Sequence, residues 1–130
     1  MWYISIILMI IAGIFNAIMD VLKTRYNTSI FASWPNQNWL KPSLSWVNKW
    51  KNGDRSQGER FLGSSTFLVW ITDFWHLAKM IMLACISAAI ILYSPIYKWW
   101  TDIFIMYCSF TIPFELFYSR FFIKKQNNPA

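Results

Sequence analysis

Asp73, His76 and Lys79 sit in an otherwise apolar stretch, residues 64–93, that is long enough to cross a bilayer. Charged groups at membrane depth cost about 2.5–3.5 kcal/mol each even on lenient insertion scales, so a chain that places three there must hide them from lipid or use them. An aspartate and a histidine at i, i+3 share one helix face and can ligate one divalent metal, with Glu115 or Asp20 adding ligands from facing helices. The same groups can relay protons, because histidine titrates near neutral pH and burial raises carboxylate pKa values. The third option is plain ion pairing, Asp73 with Lys79 and Glu115 with Arg120, which holds a bundle together and does no chemistry. No HExxH motif fixes a metal geometry, and the phosphate-loop, G-x-S-x-G and zinc-deaminase patterns are absent from the sequence.

Three apolar segments must position these groups. Residues 2–19 form the first, with Trp2 and Tyr3 as interfacial aromatics at one end and Asp20, Lys23 and Arg25 marking the other. Gly13, Asn16, Ala17 and Asp20 recur at helical spacing, the small and polar face that helix contact in lipid requires. The second runs over about 66–93, long enough to cross at a tilt, with Ser64 or Ser65 placed to cap it. On it Asp73, His76, Met80, Leu83, Ala84 and Ser87 share a stripe, and Lys79 lies off that stripe. The third covers about 101–123, with Cys108, Thr111, Glu115 and Ser119 on its polar face and Pro113 inside it, where proline invites a kink. By helical rise, Asp73 and His76 fall about 10 and about 15 Å into the second segment, and Glu115 about 12 Å from the far end of the third. Asn16 and Asp20 lie at a matching height on the first, so one polar cluster of Asn16, Asp20, Asp73, His76, Lys79 and Glu115 is expected.

Composition agrees with a membrane protein. The 130 residues are 56% hydrophobic and only 14% charged, against about 25% charged in a soluble domain. The net charge of +6 reads as topology and lipid contact, and nucleic acid is not expected as a partner, because several basic residues sit beside apolar spans. Cys85 and Cys108 both fall in apolar spans, so neither a disulfide framework nor a zinc motif is implied. The N-terminus lacks the basic region and small-x-small site of a signal peptide and reads as an uncleaved first helix.

Residues 20–65 are the one extended polar stretch, too poor in aliphatics for a core of their own. Trp34, Trp39, Trp46 and Trp50 alternate there with Lys41, Lys49 and Lys51, Pro35 and Pro42 break any long helix, and Asn52-Gly53-Asp54 reads as a turn. Residues 43–51 suit a short interfacial helix with Trp46 and Trp50 on one side. The segment reads first as an aromatic belt that anchors a connector, and as the alternative Trp46, Lys49, Trp50, Lys51 and Arg60 are the candidates for lipid-headgroup contact. Basic residues concentrate in this loop and in the tail from Arg120, whereas the turn at 94–100 holds Lys98 alone. The positive-inside rule then puts the N-terminus outside and the loop and C-terminus in the cytoplasm.

The runs 45–54, 58–66 and 72–76 (SWVNKWKNGD, GERFLGSST and TDFWH) resemble a group of short uncharacterised membrane proteins of Bacteroidota-like bacteria. The resemblance implies a bacterial inner-membrane location and carries no activity. In topology alone the chain is also similar to three-span phage holins, from which its Trp-rich loop and its Asp73, His76 and Glu115 depart. The expectation is an all-α polytopic membrane protein in one domain, a bundle of three transmembrane helices with an interfacial Trp-rich loop. Its expected role is a non-catalytic accessory subunit or self-associating module, partnered by lipid and by a second copy or another membrane subunit. The alternatives are a membrane-embedded enzyme acting on lipid headgroups, with a divalent metal on Asp73, His76 and Glu115, and a holin-like pore.

Overall fold

A computed structural model describes residues 1–125, and what was expected of the tail from Gln126 lies outside them. The described residues are all-helical and contain no strand. Three long helices carry the architecture: α1 (Trp2–Thr24), α2 (Phe74–Ile91) and α3 (Trp99–Leu116). Of these, α1 and α2 are long and apolar enough to cross a membrane. α2 and α3 both pack along α1 and make little contact with each other, so α1 is the middle helix.

Small residues make the helix contacts. Ala12, Gly13 and Ala17 of α1 and Ala78 and Ala89 of α2 are all buried, and Ser5 Oγ donates to the Ala89 carbonyl at 3.1 Å. Gly13 faces α3 so closely that a Cβ there would stand 2.2 Å from the Phe110 carbonyl oxygen. Backbones that approach like this gain dispersion contacts along their whole length.

Two ends of the second segment differ from expectation. Its helix begins at Phe74, because Asp73 is extended at φ −156° and ψ 159° and caps it. Residues 62–72 form turns and a 3-10 segment instead, so the apolar run Phe67–Ile71 is not part of α2. Ser64 and Ser65 do not cap the helix: Ser64 Oγ donates to the Lys49 carbonyl at 2.7 Å, and the Ser65 hydroxyl donates to Glu59. In α3 the chain stays helical past Pro113 and ends in a π turn, Phe117–Phe121, closed by the Phe122 N–H on the Phe117 carbonyl.

Residues 26–65 fold as a cap over the end where α1 stops, α2 starts and α3 stops. Backbone pairing of Ser29 with Ile123, and of Ile30 with Phe122 at 2.9 Å, ties the cap to the chain leaving α3. Asn48 Nδ2 donates to the Asn38 carbonyl at 2.7 Å and the Thr72 carbonyl at 3.0 Å, tying it to the start of α2. Phe31, 1% exposed, is the hub, with Trp34, Phe74 and Phe122 against its ring. Tyr26 donates its hydroxyl to Gln37, whose amide holds the Phe31 and Trp34 carbonyls, and burial raises the phenol's pKa. The expected interfacial helix over 43–51 is broken up into a short turn, Pro42–Ser45, and a 3-10 turn, Trp46–Lys49.

At the opposite end, Asp102 secures the turn between α2 and α3. Its carboxylate accepts from the Tyr93 hydroxyl at 2.5 Å and from the Ile96 and Tyr97 N–H groups at 3.0 and 3.1 Å, and it is almost fully buried. A carboxylate that satisfies two backbone donors in so short a turn fixes the antiparallel return of α3.

Candidate functional site

The chemistry-bearing residues of α2 meet at its first turn. Asp73 accepts from the His76 N–H at 2.9 Å with one oxygen, and its other oxygen lies 2.7 Å from His76 Nδ1. That arrangement is an N-cap whose N3 residue is a histidine, so one carboxylate satisfies an orphan helix N–H and orients an imidazole. With Nδ1–H donating to the Asp73 carboxylate, Nε2 is the free ring position. His76 and Lys79 line a cavity of about 240 Å³ with Val69, Trp70, Met80 and Leu83. The Trp75 ring meets His76 edge-on at 4.9 Å and has Lys79 Nζ 5.4 Å from its centre. A carboxylate-oriented imidazole of this kind can hold a proton, act as a base or give one ligand to a metal.

Of the rest of the expected cluster, Lys79 shares the cavity with His76, and Glu115 does not join Asp73 and His76. Asp73 lies at the very start of the helix instead of about 10 Å along it, because the turns of 62–72 replace the first part of the expected span. Since α1 separates α2 from α3, polar stripes at equal heights do not face one another. Glu115 is exposed and accepts from Ser119 Oγ at 2.5 Å. Asn16 and Asp20 are half-buried on α1. Among the described residues no three His, Cys, Asp or Glu side chains come together to hold a metal, so Asp73, His76 and Glu115 do not form a set. The one ion pair among the described residues is His76 with Asp73, and neither Asp73–Lys79 nor Glu115–Arg120 forms.

The remaining acidic side chains of the cap serve its turns. Asp54 accepts from the Ser56 N–H and hydroxyl at 2.9 and 2.7 Å, and Glu59 accepts from the Gly63 and Ser65 N–H groups at 3.0 and 3.2 Å. Hydrogen bonds to the ionised form hold both carboxyls below their usual range, led by the Ser56 hydroxyl for Asp54 and the Ser65 hydroxyl for Glu59. Asp102 and Glu59 were not among the residues singled out in the sequence. The legible signals were an aspartate just after the Ser94-Pro95 turn and a glutamate shortly before Gly63-Ser64-Ser65.

The headgroup candidates divide in two. Trp50 and Arg60 line a second cavity, of about 350 Å³, with Val47, Asn48, Asn52 and Gly53. Lys49 and Arg55 flank Trp50, with Nζ and Cζ 5.8 and 5.7 Å from the ring centre. Trp46 and Lys51 are exposed and do not line it. The chain matches no known protein family, no curated protein and no solved structure. What it does has to be read from this geometry.

Proposed function

We propose that the chain is a small protein of the bacterial inner membrane and acts as a non-catalytic accessory subunit or self-associating module. In this reading α3 is a third span beside α1 and α2, because its 18 residues reach about 27 Å. Its outward residues are apolar, Ile103, Phe104 and Tyr107 each being more than 60% exposed. The N-terminus lies outside, and the basic cap lies in the cytoplasm.

The observation that carries the proposal is the open packing of the two flanking helices. α2 and α3 lean on α1 from either side and keep large apolar faces uncovered, with Ile90 and Ile91 72% and 81% exposed. A groove of about 430 Å³ remains between them, lined by Met9, Ile86, Ala89, Ile90, Tyr93 and Met106. Lipid can fill such surfaces, but so small a bundle buries little on its own, and a second helix pair would bury more. Asp73 serves as a cap and Asp54, Glu59 and Asp102 as turn locks, which leaves assembly as the better use of the intramembrane surface.

The test is the mass of the protein in mild detergent together with cross-linking in native membranes. The expected result is a multiple of the 15.5 kDa chain, or a co-purifying membrane subunit. A strict monomer by both methods contradicts the proposal.

One observation favours a membrane-embedded enzyme: the Asp73-held imidazole faces a cavity beside Lys79. That reading requires His76→Ala to abolish a change in lipid composition, or a bound metal, that the wild-type chain produces.

A further inference from the structure

We propose that the hairpin around Trp50 and Arg60 binds the phosphate of an anionic phospholipid. The inference rests on the membrane reading above and names a ligand for its cytoplasmic face.

The site is built by a chain reversal. Lys51 N–H donates to the Gly58 carbonyl and Arg60 N–H to the Lys49 carbonyl, both at 3.0 Å, around a bridge between Trp50 and Glu59. Asn52 and Gly53 make the reversal with left-handed φ of 53° and 72°, which an asparagine and a glycine tolerate. Arg60 is thereby brought against Trp50, Asn48 and Asn52 at the cavity of about 350 Å³. Asn48 pins the floor of that cavity to the start of α2 through the Thr72 carbonyl, so the pocket is held in place before any ligand arrives.

Charge selects the ligand. Lys49, Lys51, Arg55 and Arg60 all belong to this hairpin, and among the described residues none has a carboxylate partner. The two acids among them, Asp54 and Glu59, accept from Ser56 and Gln57 and from Gly63 and Ser65, so the cations remain available. Trp50 holds Lys49 and Arg55 near its ring, which lowers the freedom those side chains lose on binding an anion. A guanidinium with a forked set of donors suits a phosphate diester.

The neighbouring residues indicate that the phosphate arrives on a lipid. Phe61 and Leu62 follow Arg60 directly and are 37% and 84% exposed, and Phe67 is 67% exposed. An apolar shelf beside a phosphate pocket gives a place to an acyl chain and none to inorganic phosphate.

The experiment uses the full chain in detergent, with lipid adducts counted by native mass spectrometry. Short-chain phosphatidylglycerol, phosphatidylcholine and inorganic phosphate are the probes. Phosphatidylglycerol is expected to bind in preference to phosphatidylcholine, and phosphate is expected not to displace it at equal concentration. Arg60→Gln weakens phosphatidylglycerol binding roughly fivefold, and a further Lys49→Gln change brings the loss to roughly 25-fold. Arg60→Lys keeps the charge without the fork and loses less affinity than Arg60→Gln, which shows that the site still folds, whereas Arg120→Gln removes a cation outside the pocket and leaves binding unchanged. Equal binding of the two lipids, or an equal loss on Arg120→Gln, overturns the pocket. Displacement by inorganic phosphate overturns the lipid assignment. An alkaline wash of native membranes separates the two readings: a chain that is extracted defeats the membrane reading, and one that stays but shows no lipid preference defeats the pocket alone.

Discussion

Replacing Gly13 with alanine forces α1 and α3 apart and lowers the stability of the packed helices by about 1–3 kcal/mol. The added Cβ would stand 2.2 Å from the Phe110 carbonyl oxygen and 3.0 Å from its carbon, so the obstacle is backbone and no rotamer change relieves it. Either helix must shift, and the dispersion contacts along their shared length go with it. The midpoint of detergent-induced unfolding reads the effect. Trimming the partner with Phe110→Ala does not restore Gly13→Ala, because the clash is with the carbonyl and not with the ring. An unchanged midpoint for Gly13→Ala contradicts the close approach of α1 to α3.

Asp73→Ala is expected to cost about 2 kcal/mol at the start of α2, the upper end of what an N-cap is worth. The substitution removes the acceptor for the His76 N–H and the partner of His76 Nδ1 together. It also loosens the turn that carries Thr72, whose carbonyl anchors Asn48 of the cap. Asp73→Asn keeps an oxygen for the His76 N–H and loses only part of the effect, about 1 kcal/mol or less. Amide hydrogen exchange over residues 74–78 separates the variants: protection falls strongly for alanine and weakly for asparagine. If instead both variants keep full protection while a lipid-modifying activity disappears, Asp73 serves chemistry and not the helix end.

The sequence made α1 legible and left the other two long helices partly hidden. An unbroken apolar run with Trp2 and Tyr3 at its start leaves one interpretation, and its small face of Gly13 and Ala17 is buried where the spacing put it. The expected end at residue 19 came from reading Asp20 as a boundary, yet the helix continues to Thr24. α2 was extended too far upstream because hydropathy does not separate an apolar turn, Phe67–Ile71, from an apolar helix. The decisive signal was Asp73 three residues before His76, a capping pattern placed inside an apolar run and read there as buried charge. That one shift moves Asp73 from the middle of the expected span to the edge of α2.

The expected set of Asp73, His76 and Glu115 does not form, for a different reason. Periodicity assigns residues to a helix face, but it does not say which helix stands in the middle. With α1 between α2 and α3, Glu115 turns to Ser119 of its own segment and His76 turns to Asp73 of its own cap. Asp102 shows the converse. It is nearly fully buried and ties three groups of one short turn, a role set by how the chain reverses and not by any period in the sequence. The Trp-rich loop was legible as more than a connector, since its alternating tryptophans and lysines have no use in a bare linker. Its cap fold depends on Phe31, whose contacts come from the start of α2 and from the chain leaving α3.

The proposed threading has three crossings with the cap in the cytoplasm. The direct measurement is labelling of single engineered cysteines in intact and permeabilised cells with a membrane-impermeant maleimide. The background carries Cys85→Ser and Cys108→Ser, and the reporters are Ser43→Cys in the exposed part of the cap and Tyr97→Cys in the turn between α2 and α3. Tyr97→Cys is expected to be labelled in intact cells and Ser43→Cys only after permeabilisation. Labelling of both positions from the same side would contradict that threading.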